Sequence, residues 1–274
     1  MILKPDFYDR FQCKAGACTN TCCKTWEIDI DDETALYYEQ VPGALGDQIR
    51  QAMAFNEEGA YFGLNEAGFC PLLRKDGLCD IICGLGDEAL CDICALHPRF
   101  FLDVQEHEFW GVGLCCEAAA ELLTESEKPL TFVSEDPGRT WTIEEILDAL
   151  GMPADKVQFV PACPEDAFWQ RLQKTEAVDD AWPGELSELL EAAPDLQLPA
   201  GPYYDRILTY FLYRLLELAE EVPFAELKNL AQDMTALVAL IDVLHGKDHQ
   251  HICRISEQIE YSTVNVDVLL SRLP

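Results

Sequence analysis

The amino-acid sequence predicts a mainly α protein, in which a cysteine-rich, irregular N-terminal domain precedes a helical bundle. The cysteines are concentrated, since eleven of the thirteen lie at or before Cys116. Beyond that point, long segments carry apolar residues at the i, i+3, i+4 and i+7 spacing of amphipathic helices. Apolar residues make up 49% of the chain, enough to bury a core. We therefore predict two domains, residues 1–125 and residues 126–274.

The first cysteines occupy a short polar stretch: Cys13, Cys18, Cys22 and Cys23. Gly16 and Asn20 within it favour turns over a long helix. Two helices are predicted next, because Asp31 or Asp32 can cap the first and residues 44–55 show helical apolar spacing. The sequence thus predicts a loop of cysteines followed by helices.

A second group of cysteines lies between residues 70 and 94. The charged and glycine residues between Cys70 and Cys79 predict a turn that brings these two together. Cys83 follows Cys79 by four positions, and Cys94 follows Cys91 by three. A helix at either place would put both thiols of the pair on one face.

The second half is predicted to be helical after a connection. Residues 100–113 alternate apolar and polar side chains and predict a short hairpin, and a helix is expected to begin near Cys115. Residues 127–140 hold two prolines, a glycine and several charges, which is typical of a connection. Four helical segments follow: residues 142–151, 164–177, 203–222 and 223–246.

The formal net charge is −31 at pH 7. Such a field repels nucleic acid and anionic membranes and attracts basic peptides or proteins, although acidity also serves solubility alone. The sequence shows neither a signal peptide nor a run of ~18 apolar residues. We expect a cytoplasmic protein with no nucleic-acid or membrane partner.

Metal binding is the leading use of so many cysteines, because cytosolic thiols stay reduced and an odd number with adjacent pairs fits disulfides poorly. Thiolates suit iron–sulfur clusters and zinc, and either site takes four ligands. Only Cys91 and Cys94 show the C-x2-C spacing of zinc ribbons. Zinc, two centres, or one centre with spare thiols all stay open, and Cys163 and Cys253 are expected to be packing residues.

Several motifs follow one another in order. The first cysteine stretch ends in two adjacent cysteines, followed by Trp26 and alternating aliphatics. Residues 70–81 contain a CP pair, a turn and a G-x-C-x-I element, and residues 86–88 form a G-[ED]-E box. Cys94 precedes a P-R dipeptide, and Cys115 opens an E-A-A helix. This order resembles the flagellin lysine-N-methylase family, which is related to zinc- or iron-chelating CxxCxxCC proteins.

The resemblance covers about the first 120 residues. It implies methyl transfer from S-adenosylmethionine to a lysine of a protein such as flagellin, with a [4Fe-4S] cluster as cofactor and zinc as the alternative metal. It implies eight metal-binding cysteines: Cys13, Cys18, Cys22, Cys23, Cys70, Cys79, Cys94 and Cys115. One hypothesis is that an open iron binds the amino-acid end of S-adenosylmethionine, which leaves three cysteine ligands.

Other candidates are less specific. No glycine-rich loop follows a predicted strand, so the S-adenosylmethionine site and the catalytic residues are not located. His97 and His107 are expected to be hydrogen-bonded structural histidines, and Arg99 fits either a cofactor carboxyl group or a salt bridge. Trp26 and Trp110 are expected to be core aromatics. A non-enzymatic metal-binding or redox-sensing protein, with a structural zinc or iron–sulfur site, is the alternative.

Overall fold

The computed structural model describes residues 1–134, 138–153 and 155–272. The strands are β1 (Ile2–Pro5), β2 (Ile28–Ile30), β3 (Met53–Phe55), β4 (Ala60–Phe62), β5 (Arg99–Val104), β6 (His107–Val112), β7 (Phe132–Ser134) and β8 (Thr140–Trp141). The helices are α1 (Asp32–Gln40), α2 (Gly43–Ala52), α3 (Asp80–Leu85), α4 (Asp92–Leu96), α5 (Glu117–Thr124), α6 (Ile143–Ala149), α7 (Asp166–Leu172), α8 (Trp182–Ala192), α9 (Pro202–Leu215), α10 (Phe224–His245), α11 (His249–Gln258) and α12 (Thr263–Leu269). Within these ranges, each helix is too short or too polar to cross a membrane.

The fold is mixed α and β with helices in the majority, so the prediction of a mainly α protein is confirmed in part. Helices dominate after residue 142, as predicted, but the described residues also form a five-stranded sheet, β5-β6-β1-β7-β8, and a three-stranded sheet, β2-β4-β3. The predicted connection at residues 127–140 contains β7 and the start of β8, and its residues 135–137 lie outside the described residues. Strands this short carry too few residues for an alternating pattern to be recognised.

The chain divides into two compact units. Unit 1 combines Met1–Phe11 with Arg99–Pro274, and unit 2 is Gln12–Pro98. Each unit has its own hydrophobic core. Unit 1 is therefore discontinuous in sequence. The division into domains at residue 125 stays a prediction.

In unit 1, β1 lies at the centre of the sheet. It pairs in parallel with β6 and antiparallel with β7. The predicted hairpin is confirmed, since β5 and β6 pair antiparallel from Arg99 opposite Val112 to Val104 opposite His107. Helix α9 lies against this sheet, where the Tyr213 ring stacks on aromatic rings of the strands. The N-terminal residues thus complete a core built mainly from the second half of the chain.

In unit 2, α1 begins as the sequence predicts, because Asp31 Oδ1 accepts a hydrogen bond from the Thr34 amide at 2.9 Å. The second predicted helix is too long: α2 ends at Ala52, and the following residues form β3. The fully buried Tyr38 of α1 donates its hydroxyl to the Ala89 carbonyl at 2.7 Å. This bond ties α1 to the segment that carries the second group of cysteines.

Candidate metal centre

Five cysteines lie in or against the unit 2 core. Two are buried within the core and three pack against it: Cys70 and Cys91, then Cys23, Cys79 and Cys94. Burial, followed by the negative charge of neighbouring thiolates, raises the pKa of Cys70 to about 11. Burial likewise raises the pKa of Cys79, and the charge of Cys23 adds to that rise. The thiols are therefore close enough to oppose one another's ionisation, as a ligand set for a cation would be.

Backbone pairing brings together the segments that carry Cys23, Cys70 and Cys79. The Cys70 amide donates to the Cys23 carbonyl at 2.9 Å, and the flanking residues Lys24 and Phe69 form a β-bridge. A second bridge joins Leu73 to Cys79. The predicted turn between Cys70 and Cys79 is confirmed, since the chain reverses there and returns beside itself.

Cys91 belongs to the group although it was not among the eight predicted ligands. Its side chain is fully buried just before α4, and Cys94 lies in that helix. A hydrogen bond from the Cys94 thiol lowers the pKa of Cys91, and the same contact raises the pKa of Cys94. In the sequence, Cys91 was marked only by its C-x2-C spacing from Cys94. That spacing indicates that these two thiols can lie close together, but not that they lie beside Cys23, Cys70 and Cys79.

The adjacent pair Cys22 and Cys23 lies at the exposed side of the group. A hydrogen bond from the Cys22 thiol lowers the pKa of Cys23 to about 6, against the effect of burial. The Trp26 indole donates to the Cys22 carbonyl at 2.6 Å and lies 5.6 Å from the His97 ring. Trp26 is 38% exposed, so its prediction as a core aromatic is wrong. It covers the edge of the cysteine stretch instead.

The loop that contains Cys13 and Cys18 lies against the turn before Cys79. A Cβ atom at Gly77 would fall 2.9 Å from Gly16 Cα, and one at Gly16 would fall 2.6 Å from the Asp76 carbonyl oxygen. Gly77 also has φ +79°, a conformation that favours glycine. The approach of the two backbones therefore depends on glycine at both positions.

Cys115, the eighth predicted ligand, belongs to unit 1 and the other seven to unit 2. Burial raises the pKa of Cys115, and its thiol shares a hydrogen bond with Tyr261. Cys253, expected to be a packing residue, is 2% exposed in the unit 1 core, where Cys115 contributes to the rise of its pKa. Cys163 is half-buried and donates to the Ala193 carbonyl at 3.2 Å.

His97 and His107 differ from the ordinary hydrogen-bonded histidine, whereas Arg99 has structural partners. His97 Nε2 and His107 Nδ1 are buried without a hydrogen-bond partner among the described residues. Burial lowers the pKa of His97 to about 4, which keeps the imidazole neutral. The Arg99 guanidinium lies 5.0 Å from the Phe11 ring centre and hydrogen-bonds Tyr8, both in unit 1. A neutral imidazole is a possible ligand, whereas Arg99 has a packing partner.

The donor set fits a soft metal centre. Thiolate sulfur prefers zinc and the iron of iron–sulfur clusters, and sulfurs drawn from several segments can surround such a centre. Among the described residues, no three cysteine sulfurs all lie within 4.8 Å of one another. The cysteines of unit 2 are thus gathered as donors without being closed into a tight tetrahedron.

The fold and this group of thiols define a cysteine-rich protein of two units with a candidate metal centre. The chain is 27% identical over 133 residues to the flagellar biosynthetic protein FliU of Salmonella muenchen. This match covers 46% of this chain and 79% of that protein. The chain is 29% and 28% identical over 133 residues to proteins named lysine-N-methylase from Salmonella typhimurium and Salmonella choleraesuis.

Each of these two matches covers 46% of this chain and 33% of the methylase, so the matched region is about a third of the methylases' length. No family model and no solved structure matches the chain. These relatives support the resemblance to the flagellin lysine-N-methylase family found in the cysteine motifs.

Proposed function

We propose that the protein is an S-adenosylmethionine-dependent protein lysine N-methyltransferase of the flagellin type, with a [4Fe-4S] cluster bound in unit 2. The observation that supports this most is the group of five thiols, because it lies in the segment whose motifs resemble the methylases. The relatives named lysine-N-methylase support the reaction class. A cytoplasmic location is part of the same proposal.

The cluster ligands would come from the group formed by Cys23, Cys70, Cys79, Cys91 and Cys94. A [4Fe-4S] cluster takes four cysteine ligands, and a set of three would leave one iron for the amino-acid end of S-adenosylmethionine. Five gathered thiols satisfy either case. The exposed Cys13 and Cys22 and the half-buried Cys18 lie on the neighbouring loops and are the next candidates.

The protein must also prepare the lysine. Methyl transfer requires a neutral amine in line with the sulfonium methyl group, and burial away from water lowers the pKa of an ammonium. The formal charge of −31 would draw a basic protein surface to the enzyme before that step. The substrate would therefore be a lysine-bearing protein rather than nucleic acid.

The test begins with protein purified without oxygen. We expect about four irons per chain, broad absorption at about 400 nm and a spectral change when S-adenosylmethionine is added. Incubation with a flagellin and labelled S-adenosylmethionine should transfer label to lysine. Colourless protein with one zinc per chain and no transfer would contradict the proposal and favour a metal-binding role without catalysis.

Two cysteine variants place the cluster. Cys91→Ser removes a fully buried thiol of the group and should lower iron to well under half of the wild-type content. Cys163→Ser is the matched control, because this thiol lies in unit 1 and donates to the Ala193 carbonyl. Equal iron in both variants would mean that the gathered thiols of unit 2 do not hold the cluster.

A further inference from the structure

A second set of ligand-type side chains lies in unit 1. Glu117 and Glu121 are four residues apart on α5, so they share a helix face, and His249 is the first residue of α11. One ligand atom from each of the three lies within 4.8 Å of the other two. In the described parts of the chain, this is the group of histidine, cysteine and acidic residues that meets that distance.

Helix packing holds the three side chains in place. Helices α5 and α11 contact each other, and both bury apolar residues in the unit 1 core. Three consecutive alanines of α5, residues 118–120, are buried and allow a neighbouring helix to approach closely. Glu117 is itself only 4% exposed. The core therefore positions the Glu117 carboxylate, while the Glu121 side chain is 43% exposed on the same helix face.

The imidazole is oriented as a metal ligand would be. His249 Nε2 lies 3.5 Å from Glu121 Oε1, and on the other side of the ring Nδ1 lies 3.4 Å from Asp248 Oδ1. A histidine that binds metal usually presents its second nitrogen to a carboxylate, which fixes the ring. The Gln250 side-chain amide, 3.3 Å from His249 Nε2, is the neighbour that a metal would displace.

We propose that Glu117, Glu121 and His249 bind a divalent first-row metal ion that joins α5 to α11. Carboxylates suit Mn²⁺ and imidazole suits Zn²⁺ and Fe²⁺, so two oxygens and one nitrogen favour these ions over Cu⁺, which selects thiolate and thioether sulfur. Three protein ligands leave at least one coordination position for water. The donors contain no sulfur, so this site differs in chemistry from the cysteine group and does not depend on the proposed methyl transfer.

Mn²⁺ alone is the probe, because it prefers oxygen and nitrogen donors and avoids thiolates. Titration of the full chain with Mn²⁺, followed by the electron paramagnetic resonance of the free ion, should show one ion bound per chain. His249→Gln and Glu121→Gln should each weaken this binding at least about tenfold, as loss of one ligand does.

His245→Gln is the matched control. His245 Nε2 lies 3.4 Å from Glu188 Oε2, so this is another histidine–carboxylate pair of unit 1, outside the group of three ligands. This variant should bind Mn²⁺ as the wild type does. Mn²⁺ should also raise the thermal midpoint of the wild type but not of His249→Gln, since a ligand of the folded state stabilises it.

Absence of Mn²⁺ binding at millimolar concentration would overturn the proposal, as would equal affinity in the wild type, His249→Gln and Glu121→Gln. The three side chains would then form a hydrogen-bonded ion pair between helices. Circular dichroism of each variant separates loss of the site from loss of the fold, because Glu121 and His249 are only half-buried and their replacement should leave helix content unchanged.

Discussion

Tyr210 shows how single buried groups hold unit 1 together. Its hydroxyl donates to the Val112 carbonyl at 2.7 Å and accepts from the Val112 amide at 2.8 Å, and both residues are fully buried. Tyr210→Phe would leave both backbone groups without this partner, which should lower the free energy of unfolding by about 1–3 kcal/mol. Urea denaturation measures the change. Tyr37→Phe, at a 46% exposed position, should have little effect, and an equal loss there would contradict the argument.

Asp233 makes the stability of unit 1 depend on pH. Burial raises the pKa of this carboxyl to about 7, partly opposed by the charge of Arg171. Since the folded state favours the protonated acid, its contribution to stability is complete below the ordinary pKa of about 4 and is lost as pH rises through 7. Between pH 5 and pH 8, the wild type should lose at least about 1 kcal/mol of unfolding free energy relative to Asp233→Asn, because one pKa unit corresponds to about 1.4 kcal/mol.

Denaturation curves of the two proteins across this pH range provide the measurement. Asp103→Asn, at an exposed position, should follow the wild type. Parallel curves for the wild type and Asp233→Asn would show that the Asp233 carboxyl is ionised in the folded protein at neutral pH.

At the scale of elements, the contact between the first cysteine loop and the turn at Gly77 should control metal content. Gly77→Ala would press a Cβ atom against Gly16 and move the loop. Gly43 has a similar φ of +77° but nothing within 4 Å, so Gly43→Ala carries only the backbone strain. We expect Gly77→Ala to lower metal per folded chain by at least about half, and Gly43→Ala to lower stability by about 1 kcal/mol with unchanged metal content.

Metal analysis and circular dichroism of both alanine variants test this expectation, which rests on the proposed metal centre. Equal metal content in both would show that the loop with Cys13 and Cys18 supplies no ligand. Loss of metal in both would show instead that backbone strain anywhere in unit 2 is sufficient.

The elements that sequence reasoning recovered are those specified locally. The Asp31 cap, the hairpin of β5 and β6 and the turn before Cys79 each depend on neighbouring residues. Strand β1 has four residues and pairs with β6 and β7, far along the chain, so no local pattern indicates its partners.

The same limit applies to the sites. Thiol-rich loops could be recognised from cysteine spacing, but Cys91 could not be assigned to the group without knowing that α4 packs beside β2. Glu117 and His249 meet only because α5 and α11 pack together, and their sequence separation hides this. Sequence spacing reports contacts within an element, whereas ligand sets are completed by contacts between elements.

For the whole molecule, two separate cores predict two unfolding transitions. Since metal ligands of the proposed centre lie in Gln12–Pro98, removal of the metal should destabilise this unit and leave the other largely unchanged. Hydrogen exchange with mass spectrometry should show faster exchange in β2 and β4 after chelation, with unchanged protection in α9 and α10. A uniform increase in both units would indicate a single cooperative structure instead.

The central position of β1 also affects the order in which the two units can fold during synthesis. The ribosome makes this strand before unit 2, but its partners β6 and β7 emerge only after the whole of that unit. Domains generally fold as the nascent chain appears. Unit 2, which contains the cysteines of the proposed metal centre, can therefore fold and bind metal before β1 has strands to pair with. A ribosome-bound chain long enough to expose residue 98 would already present seven of the eight predicted ligands, so delivery of the proposed cluster need not await the finished protein.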